Sequence, residues 1–231
     1  PWAFDAEEAD EAAEAMGAVL FYHPQPQHNF MTERTTRYGL FNSLGVIVED
    51  AIVVAILILG GVLEACPDLK VCVAHGGGPA CYAMGRLDRG WQGNADARKS
   101  IPRPPSSYQK QLYYDTVVGS EAALRFMIDQ VGIDRVVLGS DWPFVPWHPS
   151  PVTWVQGLAS LSAEEKERIL WRNLDALLHG GLPKGSVLIF GGPPGAGKTT
   201  LAQQMCFHHA SANQRVLWFS TLSEPTAKTL L

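Results

Sequence analysis

The sequence predicts a parallel α/β chain: about half of a (β/α)8 barrel, followed by the opening part of a second, P-loop α/β domain. Three observations predict it. Short apolar strands alternate with helical stretches along the whole chain. Four of those strands run into a polar residue at their C-terminal ends, namely His23, His75, Asp115 and Asp141. The run Gly192-Pro193-Pro194-Gly195-Ala196-Gly197-Lys198-Thr199 fits the phosphate-binding pattern G-x-x-x-x-G-K-[ST], between a strand and a helix.

The bulk numbers suggest one large domain or two small ones. At 231 residues, with 46% hydrophobic and 18% charged residues, the chain has a soluble globular composition. Its net charge of −5 gives no basic field for nucleic acid or an anionic membrane. Cys66, Cys72, Cys81 and Cys206 make no C-x-x-C pair, as expected of reduced thiols in a cytoplasmic protein. The chain starts at Pro1 without a Met and stops inside a helical pattern at Leu231, so both ends read as cut.

In order, Asp5 to Glu14 is an alanine-rich acidic stretch, expected as the solvated face of a helix. Gly17–Tyr22 is the first strand, leading into His23. A helix is expected over Val48–Cys66, ended by Pro67. Its apolar run, Ala51–Leu63, lies between Glu49–Asp50 and Glu64 and is shorter than the roughly 18 residues of a membrane span. Leu69–Ala74 leads into His75, and Gly76–Gly78 open the next helix. After the Pro-rich Ile101–Ser107, Gln111–Tyr114 leads into Asp115. Helix Glu121–Gln130 precedes strand Asp134–Leu138, which leads into Asp141. Helices at Val152–Leu158 and Ser162–Leu178 close this part, the latter with Ser162 as N-cap. An open doubly wound sheet would share this spacing; the motifs favour the barrel.

Active sites of parallel α/β folds lie at the C-terminal strand ends. Imidazole and carboxylate there can hold a divalent metal, and a catalytic zinc takes three protein ligands plus water. His23 and Asp141 are the best ligand candidates, with His75 close enough to move protons. Asp115 is a candidate either for substrate positioning or for strand-end hydrogen bonding.

Phe21-Tyr22-His23-Pro24, Ala74-His75-Gly76-Gly77-Gly78 and Gly139-Ser140-Asp141-Trp142-Pro143-Phe144 resemble the second half of the amidohydrolase-related decarboxylases, the aminocarboxymuconate-semialdehyde decarboxylase-like branch. The resemblance implies a partial TIM barrel over 1–173. It implies His23 and Asp141 as ligands to Zn²⁺ or Mn²⁺ and His75 as the acid/base. Arg86 would meet the carboxylate of a small aromatic or unsaturated acid in a neighbouring subunit, which implies a homodimer. The implied reaction is decarboxylation; hydrolysis by the same superfamily is the alternative. The family's first strand carries a His-x-His pair, which the seven histidines here, at 23, 28, 75, 148, 179, 208 and 209, do not form. The fragment alone is therefore expected to be incomplete.

From Leu174 the character changes. In the P-loop, glycines would let backbone N–H groups approach phosphate. Lys198 would reach the β- and γ-phosphates of ATP, Thr199 would ligate Mg²⁺, and Thr200 continues the nucleotide-binding loop. Leu174–Ser186 and Arg215–Glu224 resemble the start of a KaiC-type ATPase domain of the RecA superfamily. That resemblance implies ATP hydrolysis assisted by Glu224, with Ser223 where the family has a first glutamate. A third functional reading is thus an ATP-binding signalling or assembly module over 174–231, with the barrel part inactive.

Overall fold

The computed structural model describes residues 7–24, 34–142, 144 and 149–179. All of them belong to Pro1–Val187, the first of two units into which the chain divides. The P-loop Gly192–Thr199, Thr200 and Glu224 lie outside the described residues, as do His28 and His148.

The four expected strands form one parallel sheet, β1 (Val19–Tyr22), β2 (Lys70–Val73), β3 (Tyr113–Asp115) and β4 (Val136–Val137), in sequential order. Each neighbour in the sheet is the next strand in the chain, with helical segments between, as in successive βα units of a barrel. Tyr22 pairs with Val73, Val73 with Tyr114 and Tyr114 with Val136. This register brings the strand ends, and the residues that follow them, to one rim.

Helix α1 is Glu7–Ala15. It is less solvated than its composition suggests. Asp10 is buried, which raises its carboxyl, and Ala13 enters the core. Helix α2 (Val46–Leu59) begins earlier than expected, continuing from a π-helical turn at Phe41–Gly45. Together they make 19 residues, long and apolar enough by length and composition alone to cross a membrane, a test that the core helix of a soluble protein also passes. Within the fold, α2 turns a stripe of Val46, Asp50, Val54 and Ile58 inward. Gly61, with φ of 88°, then breaks the expected single helix, and α3 is only Val62–Ala65.

Helix α4 (Ala80–Gly93) follows the glycine turn, and the Pro-rich stretch folds into 3₁₀ turns. Helix α5 (Glu121–Val131) is capped by Ser120, whose hydroxyl accepts from the Ala123 N–H. A 3₁₀ turn at Ile133–Arg135 takes residues expected in β4 and shortens that strand. Helix α6 is Pro151–Gly157 and α7 is Ala163–Glu167, with the expected Ser162 cap completed by Glu165 as a capping box. A second π-helical turn, Arg168–Arg172, leads into α8 (Asn173–His179).

Val71, Val73, Tyr114 and Val136 share one hydrophobic cluster with Val54, Ile58, Leu124 and Ile169 from the helices. The other face of the sheet has its own small cluster: Cys72 and Val137 with Leu177 from α8, flanked by Val19 and Tyr113. Lys70 donates from Nζ to the Leu177 carbonyl at 3.3 Å. Residues 174–179, where the second domain is expected to begin, thus pack on the barrel sheet.

Candidate metal centre at the strand tips

His23 follows β1 directly. Its Nδ1–H donates to the Pro24 carbonyl at 3.0 Å, so Nε2 is the nitrogen left to face inward. That nitrogen lies 3.5 Å from Oδ1 of Asp141, on the loop after β4. His75 Nε2 lies 3.4 Å from the same oxygen. One ligand atom from each of His23, His75 and Asp141 falls within 4.8 Å of the others. Three residues separated by as many as 118 positions meet at one point because the parallel register aligns their strands.

The backbone is bent to make this meeting. His75 has φ of 51° and Asp141 φ of 61°, and with Tyr38 they are the non-glycine residues of positive φ among those described. A left-handed imidazole- or carboxylate-bearing residue costs about 1–3 kcal/mol and persists only where its surroundings enforce it. Asp115 supplies much of that enforcement. Its Oδ1 accepts from Gly76 N at 2.9 Å and from Val117 N at 3.0 Å. Of its two sequence readings, strand-end hydrogen bonding is the one observed. Thr116 ties the β4 exit in the same way, exchanging hydrogen bonds with Gly139 N and O. At Gly78, φ is 55° and a Cβ would fall on the Ile47 carbonyl of α2, so glycine alone lets the turn sit this close to the helix.

The electrostatics separate the three residues. Burial alone would raise the Asp141 carboxyl, but hydrogen bonds from His23 and His75, and their charge, outweigh it and lower it. Burial opposes charge on His75, yet its bonds to Asp141 and Asp50 and the nearby Asp50 and Asp115 carboxylates lift it to about 10. Distance alone would make His75 a third metal ligand. An imidazole in its protonated form, engaged at both nitrogens, has a proton to give and no lone pair to offer a metal.

Asp50 was not among the residues the sequence singled out. It is fully buried on α2, and its Oδ2 lies 2.8 Å from His75 Nδ1. Burial pushes its carboxyl up to about 6, against the opposing bond from His75. The available signal was a lone acid within an apolar helical stripe. A small cavity opens on His23, His75 and Asp141 between Pro24, Phe41, Asn42, Val46 and Phe144. Phe144 stacks on the His23 ring at 5.6 Å. Arg86 does not join this group; it lies exposed on α4, near the exposed Tyr82.

Sequential βα units that gather two imidazoles and a carboxylate at the strand tips define a parallel barrel of the type that houses metal sites. The chain belongs to the amidohydrolase family, whose sequence pattern matches residues 1–179. It is 32% identical over 164 residues to the 2-amino-3-carboxymuconate-6-semialdehyde decarboxylase of Dictyostelium discoideum, covering 71% of this chain and 45% of that protein. The chain therefore spans less than half the length of this curated relative. Among solved structures, it resembles the 5-carboxyvanillate decarboxylase of Sphingomonas paucimobilis, with a TM-score of 0.63 at 26% identity. That match covers 73% of this chain and 51% of the other. A second pattern, the AAA domain, matches residues 158–228. Over 74 residues the chain is 38% identical to the DNA repair protein RadA of Halalkalibacterium halodurans, covering 31% of this chain and 15% of RadA. Residues 158–179 are matched by both patterns.

Proposed function

We propose that residues 1–173 are part of a metal-dependent decarboxylase acting on a small aromatic or unsaturated carboxylic acid. The observation that carries this reading is the convergence of His23, His75 and Asp141 within 4.8 Å at the strand tips. The similarity to two decarboxylases supports the reaction class.

The donor set fits a divalent ion such as Zn²⁺ or Mn²⁺. His23 offers Nε2 because its other nitrogen is engaged by Pro24, and Asp141 offers an anionic oxygen held low in pKa. Such an ion, when bound, would polarise a substrate oxygen and favour negative charge on it. His75 supplies the proton. Loss of CO₂ leaves an electron pair on the ring or alkene carbon, and an imidazolium beside the cavity delivers a proton to it. Phe41, Val46 and Phe144 give the apolar walls that a planar acid requires, and keep water from the proton donor. Arg86, exposed on α4, is read as the carboxylate contact for a neighbouring subunit's site in a homodimer.

The test is metal analysis after chelation and reloading, beside CO₂ release from a panel of aromatic acids. His23→Ala and Asp141→Asn should each lower bound metal at least tenfold. His75→Ala should retain metal and release no CO₂. Hydrolysis of amides or lactones in place of CO₂ release would move the chain to the hydrolase branch. Full metal occupancy in both ligand variants would remove the proposed centre.

We further propose that residues 174–231 contribute a KaiC-like, RecA-type nucleotide-binding segment. The AAA-domain match and the intact Gly192–Thr199 pattern support it. Lys198 and Thr199 would take the ATP phosphates and Mg²⁺, and Glu224 would assist hydrolysis.

A further inference from the structure

We propose that Asp50 is a positioning residue for His75: its carboxylate, 2.8 Å from Nδ1, fixes the imidazole so that Nε2 alone faces Asp141 and the cavity.

Four observations carry this. Asp50 is the polar member of an otherwise apolar buried stripe, Val46, Val54 and Ile58, and it is 0% exposed. A carboxylate in that position is costly and does nothing for the packing of the helix. Its second oxygen, Oδ1, is buried without a hydrogen-bond partner among the described residues, which show no local network holding the group there. Its hydrogen bond goes to the imidazole of His75, whose other nitrogen faces Asp141 and the cavity.

The surrounding geometry leaves the ring orientation as the remaining freedom. Asp115 clamps the backbone after His75 through Gly76 N, and Gly78 is seated against Ile47 of the same helix that carries Asp50. The turn is thereby fixed while the imidazole can still rotate. A half-turn of the ring would exchange a nitrogen for a carbon at both ends. The bond from Nδ1–H to Oδ2 selects one orientation and one tautomer, leaving Nε2 to work on substrate. The π-helical turn at Phe41–Gly45 adjoins the stripe and sets the phase at which α2 enters it. Phe41 and Asn42 from that turn also line the cavity.

The catalytic consequence rests on the decarboxylase reading; the positioning does not. The test therefore has two arms. In the full chain labelled with ¹⁵N on histidine rings, the His75 Nδ1–H should resonate far downfield, assigned by its loss in His75→Gln. Asp50→Asn and Asp50→Val should fold, keep the metal content of the parent and lose that resonance. In metal-loaded protein that releases CO₂, both should lower kcat on the order of 10²–10⁴-fold, with KM changed only a few-fold. A wild-type spectrum with no hydrogen-bonded proton on His75 Nδ1 overturns the proposal, as does unchanged kcat in both variants. A parent that releases no CO₂ from any acid defeats the decarboxylase reading, while the ring resonance still decides the role of Asp50.

Discussion

At the scale of single residues, the site is a charge arrangement held by backbone strain. His75 is buried and lifted to about 10, against an ordinary 6.5. A group whose folded pKa is raised stabilises the fold below its unfolded value and loses that contribution as pH climbs through the folded one. Asp141 is shifted the other way, so its contribution is present above its ordinary 3.8 and is lost as acid protonates it. Metal-free protein should therefore lose stability between about pH 6.5 and 10, read as falling urea midpoints in chelator. A flat profile over that range would remove the His75–Asp50–Asp141 charges from the account. His23, His75 and Asp141 were legible because each lies within a few residues of the C-terminal end of an apolar strand, where the fold class itself points. Asp50 was not. Its burial depends on the phase of a helix that starts from a π turn, and no residue pattern marks such a turn.

At the scale of elements, strand order and helix order could be read, while several ends could not. Alternating apolar runs locate a strand, but what trims it is local competition. The Ile133–Arg135 turn shortens β4, and left-handed Gly61 divides the expected helix before β2. The acidic stretch at the N-terminus shows the limit of composition: Asp10 is buried although its neighbours Glu11 and Ala12 are exposed. Helix α8 gives a more specific case. Leu177 is 2% exposed among Cys72 and Val137 on the sheet face opposite the main helical layer. Leu177→Ala should cost about 2–5 kcal/mol in the stability of the barrel part. Unchanged denaturant midpoints for that part would mean that α8 adds nothing to it.

At the scale of the whole molecule, the chain joins two matched regions that share residues 158–179. The shared stretch includes the capped helix α7 and helix α8, both described as part of the barrel unit. The glycine-rich signature of the second region is legible from sequence because, in proteins that bind phosphate through such a loop, the task fixes residue types and spacing. On the proposed reading, ATP should bind with Mg²⁺ and be lost on Lys198→Ala, since the phosphates lose their fixed counter-charge. Titration with labelled ATP beside phosphate release checks it. Turnover should be slight, because Ser223 replaces one of the two family glutamates. Rapid phosphate release dependent on Lys198 would show a hydrolytic partner elsewhere in the chain.

Strand β1 has a practical consequence for anyone handling the protein. Among the described residues it pairs only with β2, and its sequence, Val-Leu-Phe-Tyr, leaves Phe21 59% and Leu20 37% exposed. A short apolar strand with an open side is a template for stacking one molecule on another. Concentrated solutions of the chain should therefore become turbid faster than its acidic net charge suggests, and warming should hasten it. Phe21→Lys places a charge on the exposed face of that strand, outside the buried core. It should raise the soluble concentration reached on a filter by several-fold and leave the melting temperature near that of the parent. If light scattering grows at the same rate in both proteins, some other surface drives their self-association.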